Sequence, residues 1–171
     1  MTTRQTIKEA LRKCQLFSAL NDVELEEITA LVTERQYDPG AVIFQQGDPA
    51  EALVVLQQGR IALQMGVPEA QQGVFKRMTI DIVTNDEVAG WSALVEPHVY
   101  TLTAVCLQST KVLCIDGPRL KALLDRNPRI GHEVVKRLIQ VVAVRLADTR
   151  QALLSERTLP TNWNKLGGRQ Y

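Results

Sequence analysis

The sequence has few of the residues that mark secreted, metal-binding or catalytic proteins. Its three cysteines, Cys14, Cys106 and Cys114, are odd in number and lack Cys-x-x-Cys spacing, so they indicate neither a disulfide framework nor a zinc knuckle. There are two histidines, and no P-loop, carboxylate pair or metal-ligand spacing occurs. We therefore expect reduced, mostly buried thiols, no metal and no enzymatic activity.

Long apolar runs and an excess of charge are also missing. No apolar run approaches the roughly 20 residues that span a bilayer, and residues 1–10 have no apolar core of the signal-peptide type. Twenty basic residues oppose nineteen acidic ones, so the formal net charge of +1 gives no overall attraction to nucleic acid or anionic membranes. We expect a cytoplasmic protein without a membrane segment.

What is present is enough apolar material for one folded domain. The chain has 171 residues, of which 45% are hydrophobic, and we predict a domain at 1–155 followed by a polar tail at 156–171. Residues 6–35 are predicted to form helices. In the second of them Asn21 and Glu24 have the spacing of a capping box, and Val32 continues its apolar face.

Residues 36–116 change to short β-branched or leucine-rich runs. Turn signals such as Pro39-Gly40 separate these runs, a polar loop is predicted from Gly66 to Gly73, and a further strand from Val74 to Val83. Several short strands of this kind predict a mostly β fold with flanking helices, arranged as an antiparallel sandwich or barrel.

Residues 117–155 return to helical spacing. A short helix is predicted to end at Asn127-Pro128, and a long one follows from Ile130 to Ser155. One of its faces is expected to cover the strands: Ile130, Val134, Leu138 and Val141. A second stripe alternates at four and three residues, as in a two-stranded coiled coil: Val135, Ile139, Val142, Leu146, Thr149 and Leu153. Since a helix with two apolar faces usually covers two surfaces, we predict a homodimer.

Residues 86–105, the Gly90 segment, are the best candidate for a ligand site. A strand that turns through Gly90 into one helical turn would direct free backbone N–H groups at one point, and such a point attracts anions. The alternative is a loop that merely joins two strands. These residues alone do not decide between the two interpretations.

A spaced pattern earlier in the chain carries a resemblance to a known family. The pattern G-x-x-I-F-x-x-G-D-x-A-x-x-L-x-x-L-x-x-G is present as Gly40, Ile43, Phe44, Gly47, Asp48, Ala50, Leu53, Leu56 and Gly59. Residues 11–155 resemble the cyclic nucleotide-binding domain of the catabolite-activator superfamily. The resemblance implies an antiparallel double-stranded β-helix (β-roll or jelly roll), with N-terminal helices and a long C-terminal helix that forms dimers and transmits the ligand signal.

The resemblance also implies that the Gly90 segment is the phosphate-binding cassette, Gly-Glu-(Leu/Ile) followed by Arg-(Ser/Thr)-Ala. Trp91 stands where the family glutamate holds the ribose, and Thr101 where the family arginine holds the cyclic phosphate. Because each such charged bond is worth about 1.5–3 kcal/mol, loss of both should weaken binding of a conventional cyclic nucleotide by roughly a hundredfold or more. The candidate ligand-binding residues are Gly90, Trp91, Ser92, Ala93, Leu94, Thr101, Leu102 and Thr103.

Two interpretations of the altered cassette remain open. Trp91 can stack on a planar ligand of altered type, or it can fill the vacated space and leave only a scaffold. A cation could also enter from Arg60, Lys76, Arg77 or Arg145, and the sequence does not choose among them.

The predicted function is regulatory: a homodimer that binds a small, cyclic nucleotide-like effector and signals through its C-terminal helix to an unidentified protein partner. The alternative is an interaction or dimerisation module that has kept the fold and lost the ligand. No cofactor is required in either case. Relatives that bind DNA carry a helix-turn-helix after the long helix, and residues 156–171 are too few for one, so we expect no DNA binding.

Overall fold

The computed structural model describes residues 3–68 and 75–157, and in that part of the chain two antiparallel four-stranded sheets are flanked by helices. The helices are α1 Thr3–Lys13, α2 Asp22–Thr29, α3 Gly117–Arg126 and α4 Pro128–Arg157. The strands are β1 Val32–Tyr37, β2 Val42–Phe44, β3 Ala52–Gln58, β4 Ile61–Pro68, β5 Phe75–Val83, β6 Val88–Ala89, β7 Thr103–Cys106 and β8 Thr110–Asp116. The predicted fold class, an antiparallel β-roll with N-terminal helices and a long C-terminal helix, is confirmed.

The start of α2 follows the predicted capping box. The Asn21 side chain accepts hydrogen bonds from the backbone N–H groups of Val23 and Glu24, both at 3.0 Å, and the Glu24 carboxylate accepts one from Asn21 N–H at 2.9 Å. The other Glu24 oxygen accepts a hydrogen bond from Arg129 on α4. One carboxylate therefore caps α2 and ties it to the C-terminal helix.

The predicted helical layer is too long at its C-terminal end. Helix α2 stops at Thr29, and Val32 begins β1 instead of continuing the helix face. Strand β1 pairs with β8 at six successive positions, from Val32 opposite Ile115 to Tyr37 opposite Thr110. The hydrogen bonds of this strand pair outweigh the helix propensity of residues 32–35. Local propensity cannot predict such pairing, because the partner strand is distant in sequence.

Two boundaries in the sheets also differ from the prediction. Strand β4 continues through Pro68, so residues 66–68 of the predicted loop belong to a strand. Residues 69–74, with the predicted strand start Val74, lie outside the described part of the chain. On β5 the side chains of Met78 and Ile80 are exposed. Lys76, Arg77 and Thr79 are exposed as well, so the alternation in this part of β5 does not mark a buried face.

The sheet β1-β8-β3-β6 lies between two apolar clusters. Leu53 and Val55 of β3 pack with the helices, whereas Val54 and Leu56 pack toward the second sheet, β2-β7-β4-β5. All four side chains are at most 1% exposed. Strand β3 is thus buried on both faces, and the space between the two sheets is the interior of the roll.

Helix α3 contacts the 3-10 helix Trp91–Leu94 at Gly117 and helix α4 at Gly131, and only glycine fits at either contact. A Cβ on Gly117, at the start of α3, would lie 2.9 Å from Ala93 Cβ, and a Cβ on Gly131 in α4 would lie 2.6 Å from the carbonyl oxygen of Leu124. Separations this short do not occur between real side chains and backbone atoms. Backbone therefore touches its neighbour directly at both ends of α3.

The inner face of α4 lies against the core as predicted. Ile130, Val134 and Leu138 are buried, and Val141 is half-buried against the helix-side cluster. Arg145 takes the next position on this face, one helical turn beyond Val141. The opposite stripe that was predicted as a dimer seam faces solvent in the single chain, apart from the half-buried Thr149.

The cysteines form no disulfide, and Cys14 and Cys106 are buried while Cys114 is half-buried. Burial raises the pKa of the Cys14 thiol to about 11. Among residues 3–68 and 75–157, no helix has the length and apolar character needed to cross a membrane, and no cluster of acidic, histidine or cysteine side chains could hold a metal ion.

Candidate functional site

Gly90 ends β6 and caps the single-turn 3-10 helix Trp91–Leu94. Its φ of +73° lies in the left-handed region, and an added Cβ would lie 3.0 Å from Ala52 O, 3.1 Å from a Tyr100 ring carbon and 3.2 Å from a Phe44 ring carbon. Both the conformation and the space therefore require glycine here. The turn predicted from the sequence is present, and it packs directly against two aromatic rings.

The two rings form a fixed wall beside Gly90. Phe44 on β2 and Tyr100 stack with centroids 4.0 Å apart at 11°. The Tyr100 hydroxyl donates to Ala52 O at 2.9 Å and accepts from Ala52 N–H at 3.1 Å. Burial raises the pKa of Tyr100 above its usual value. The Tyr100 phenol is therefore neutral, and its two hydrogen bonds fix the stacked rings to the first residue of β3.

The 3-10 helix uses part of its own hydrogen-bonding capacity. Ala93 is buried and its N–H donates to Gly90 O at 3.1 Å. Ser92 and Leu94 are half-buried, and Ser92 O accepts from Val95 N–H. The expected convergence of three free N–H groups at Gly90 is therefore reduced by the Ala93 bond.

The threonines of the Gly90 segment occupy different environments. Thr101 is exposed and lies before β7, so it does not share a strand face with Thr103. Thr103 is buried, and its hydroxyl oxygen accepts a hydrogen bond from Gln46 N–H at 3.0 Å. Leu102, between them, is half-buried against the interior of the roll.

Trp91 is held between the core and a guanidinium group. The indole is half-buried against the helix-side cluster, and the Arg145 guanidinium carbon lies 4.6 Å from the ring centroid. A cation within about 6 Å of an indole face is attracted by the ring quadrupole. Of the four cations that the sequence left open, Arg145 is therefore the one that reaches the cassette.

Arg145 has three further features that define its chemistry. Its Nε lies 3.1 Å from Asp81 Oδ2, its Nη2 donates to Val88 O at 2.6 Å, and its Nη1 is shielded from solvent without an acceptor among the described residues. Burial lowers the pKa of Arg145, while the carboxylates of Asp81 and Glu87 act in the opposite direction. Arg145 is a partly desolvated cation with one hydrogen-bonding direction unused.

The cavity between these groups is small, about 30 Å³. Pockets for drug-sized ligands start at roughly 300 Å³, so this arrangement has room for one or two waters. Five of the eight predicted site residues line it, and Ala93, Leu94 and Thr103 do not. The lining residues are Phe44, Leu63, Gly90, Trp91, Ser92, Tyr100, Thr101, Leu102 and Arg145.

Four lining residues were not among the predicted site residues: Phe44, Leu63, Tyr100 and Arg145. Arg145 carried a readable signal, because it continues the inner apolar stripe of α4 four residues after Val141. A charge at a position that periodicity assigns to the core needs a buried partner. The partners are supplied by distant strands, so the sequence alone did not identify them.

Residues 34–127, more than half of the chain, match the family profile of the cyclic nucleotide-binding domain. The chain belongs to this family. It is 29% identical over 119 residues to a candidate potassium channel protein of Rhodopseudomonas palustris, which covers 70% of this chain and 27% of that protein. It is 26% identical over 140 residues to the cyclic AMP receptor protein of Thermus thermophilus, which covers 82% of this chain and 62% of that protein.

A solved structure agrees with the fold of this cyclic nucleotide-binding domain. The sensor domain of the transcriptional regulator DNR from Pseudomonas aeruginosa superposes with a TM-score of 0.70 at 20% identity, covering 86% of this chain and 95% of that one. The chain spans less than two thirds of the length of either curated relative. The assignment of Trp91 and Thr101 to the two charged positions of the cassette pattern stays a prediction from the sequence.

Proposed function

We propose that this cyclic nucleotide-binding domain is a non-enzymatic sensor that takes a nucleotide-like effector beside the Gly90 segment and signals through α4 to a second copy of itself. In this proposal the domain acts in the cytoplasm, neither contacts DNA itself nor enters a membrane, and passes its signal to a protein partner.

The observation that carries the proposal is the two-faced character of α4. Arg145 on the inner face closes the pocket by lying over Trp91. One residue away on the outer face, Leu146 belongs to an apolar stripe that faces solvent. A change in the pocket that moves Arg145 therefore moves the surface that we assign to the dimer.

The exposed stripe supports a second copy of the chain as its occupant. Ile139 is 63% exposed, and Val135, Val142, Leu146 and Leu153 are each at least 40% exposed. The four-and-three spacing is that of a coiled-coil seam, which pairs best with an identical helix. Thr149 lies in the same stripe and donates its hydroxyl to Arg145 O.

A nucleotide-sized ligand requires the pocket to open. Trp91 and Arg145 occupy the space beside Gly90, and α4 beyond Val141 has few buried contacts with the roll apart from Arg145. Displacement of this single side chain would free the indole to stack on a planar base. The sensor domain of DNR, which shares this fold, supports such a role.

Calorimetric titration tests the sensor. We expect one of cyclic AMP, cyclic GMP or a cyclic dinucleotide to bind below millimolar concentration, more weakly than a cassette with both charged groups would allow. The control is Gly90→Val, because a branched side chain cannot enter a site where a Cβ already lies 3.0 Å from Ala52 O. Absence of binding for every probe would contradict the sensor.

Sedimentation velocity tests the dimer. Ile139→Asp should give monomers, because it places a charge in the seam, whereas the neighbouring exposed position Gln140→Asp should remain dimeric. A dimer that survives Ile139→Asp would move the interface elsewhere. If the effector acts through α4, its addition should also change the dimerisation constant of the unaltered protein.

The alternative is a dimerisation or interaction module without a nucleotide. It is favoured by the small cavity, by Thr101 in place of the phosphate arginine and by Trp91 filling the ribose position. This alternative predicts the same sedimentation result and no binding in the calorimeter. The two experiments together therefore distinguish the candidates.

A further inference from the structure

Arg145 is a charged side chain at a core position. Its predecessors on the same face of α4, from Ile130 to Val141, pack on the helix-side cluster, and its own side chain is 16% exposed. Removing a cation from water costs free energy unless it is paired and hydrogen-bonded. A cation retained in this place needs acceptors that match its donors.

The acceptors present satisfy only part of the guanidinium. Asp81 and the carbonyl of Val88 take Nε and Nη2, while Nη1 has no acceptor in the described part of the chain. A guanidinium presents five donors in a planar fork that matches phosphate and carboxylate oxygens. The Arg145 side chain, whose Nη1 has no acceptor among the described residues, also lines the pocket beside Trp91.

The two sides of Arg145 differ in charge. On one side a second cavity of about 100 Å³ is lined by four carboxylates: Asp81, Asp86, Glu87 and Asp148. On the other side the residues of 3–68 and 75–157 that line the Gly90 pocket include no carboxylate and no cation except Arg145 itself. An anion would be repelled on the first side and attracted on the second.

We infer that Arg145, reaching in from α4, supplies the positive charge that position 101 lacks, and that the Gly90 pocket, once it has opened, takes a phosphate group on this guanidinium. The inference rests on the proposed function for the rest of the ligand. It assigns the phosphate contact to α4 and not to position 101. Asp81 is then the competitor that holds Arg145 when no phosphate is bound.

The test uses the whole chain with Trp163→Phe, so that Trp91 is the single tryptophan, and follows both its emission and binding heat. The probes are cyclic AMP, cyclic GMP, inorganic phosphate and neutral adenosine. Arg145→Gln removes the charge, and the matched control is Arg77→Gln on the exposed face of β5. Loss of one charge-assisted contact should weaken phosphate-bearing probes roughly 10- to 100-fold and leave adenosine unchanged.

Asp81→Asn provides a second variant that keeps the guanidinium. Because it removes the competing carboxylate, it should tighten binding of the phosphate-bearing probes severalfold relative to the unaltered protein. Arg145→Lys keeps a charge without the fork and should recover part of the loss. Weaker binding in Asp81→Asn, with a native circular dichroism spectrum, would contradict the inference even if Arg145→Gln failed to fold.

The outcomes separate this inference from the proposed function. Equal affinity of cyclic nucleotides for the unaltered protein and Arg145→Gln overturns the role of Arg145 and leaves the sensor standing. Binding of inorganic phosphate alone, lost in Arg145→Gln, supports the role of Arg145 and overturns the nucleotide-like effector. If no probe changes Trp91 emission or gives heat with the unaltered protein, both are overturned.

Discussion

Replacement of Gly90 by alanine measures how closely the Gly90 segment is packed. Two costs add at this position. An L-residue at φ +73° costs about 1–2 kcal/mol, and a Cβ 3.0–3.2 Å from Ala52 O and the rings of Tyr100 and Phe44 costs about 1–3 kcal/mol more. We therefore expect Gly90→Ala to lower the free energy of unfolding by roughly 2–5 kcal/mol.

Gly40→Ala is the control that separates the two costs. Gly40 has nearly the same backbone conformation, φ +82°, but an added Cβ would meet no atom within 4 Å. It should therefore show only the conformational cost of about 1–2 kcal/mol. The difference between the two variants then isolates the crowding at Gly90.

Urea unfolding followed by circular dichroism is the assay. With a slope of about 2 kcal/mol per molar, a crowding cost of about 1–3 kcal/mol places the Gly90→Ala midpoint roughly 0.5–1.5 M below that of Gly40→Ala. Coincident midpoints would refute the reasoning, because they would mean that the rings of Phe44 and Tyr100 move aside without cost.

Three further predictions concern the helices and the aromatic wall. Asn21→Ala should cost about 1 kcal/mol in urea unfolding through loss of the α2 cap. Arg129 lowers the pKa of Glu24 by hydrogen bonding, so Glu24→Gln should be less stable than the unaltered protein near neutral pH. The difference in the free energy of unfolding should shrink as the pH falls below about 4.3, and a difference that persists in acid would contradict this. Tyr100→Phe leaves both polar groups of Ala52 without the phenol and should lower the free energy of unfolding by about 1–2 kcal/mol, without changing the fold seen by circular dichroism.

Local signals in the sequence predicted much of the fold. The capping box at Asn21 and Glu24 and the stop at Asn127-Pro128 act within one helical turn, and each is found where the sequence places it. Val32 was wrongly assigned to a helix because its partner Ile115 is far along the chain. Periodicity records which face of an element is apolar and does not record which strand will pair with it.

The candidate site shows the same difference between local signals and long-range contacts. Gly90 was identified from a turn signal in its own neighbourhood, and its positive φ agrees with that signal. Trp91 and Arg145 are 54 residues apart and meet only because α4 folds back across β6. The sequence could name Arg145 as one of four candidate cations, but only the packing of α4 brings its guanidinium to the indole.

The direct contacts at Gly117 and Gly131 make α3 a stiff coupling between the cassette and α4. A Cβ would overlap Ala93 at one contact and Leu124 at the other, so neither joint contains a side chain that can bend or rotate to absorb a displacement. We expect movement of the 3-10 helix to pass to α3 and then to α4. From Gly131 to Arg157 the helix is roughly 39 Å long, so it works as a lever whose tip moves about 3 Å for a turn of about 5° at the corner.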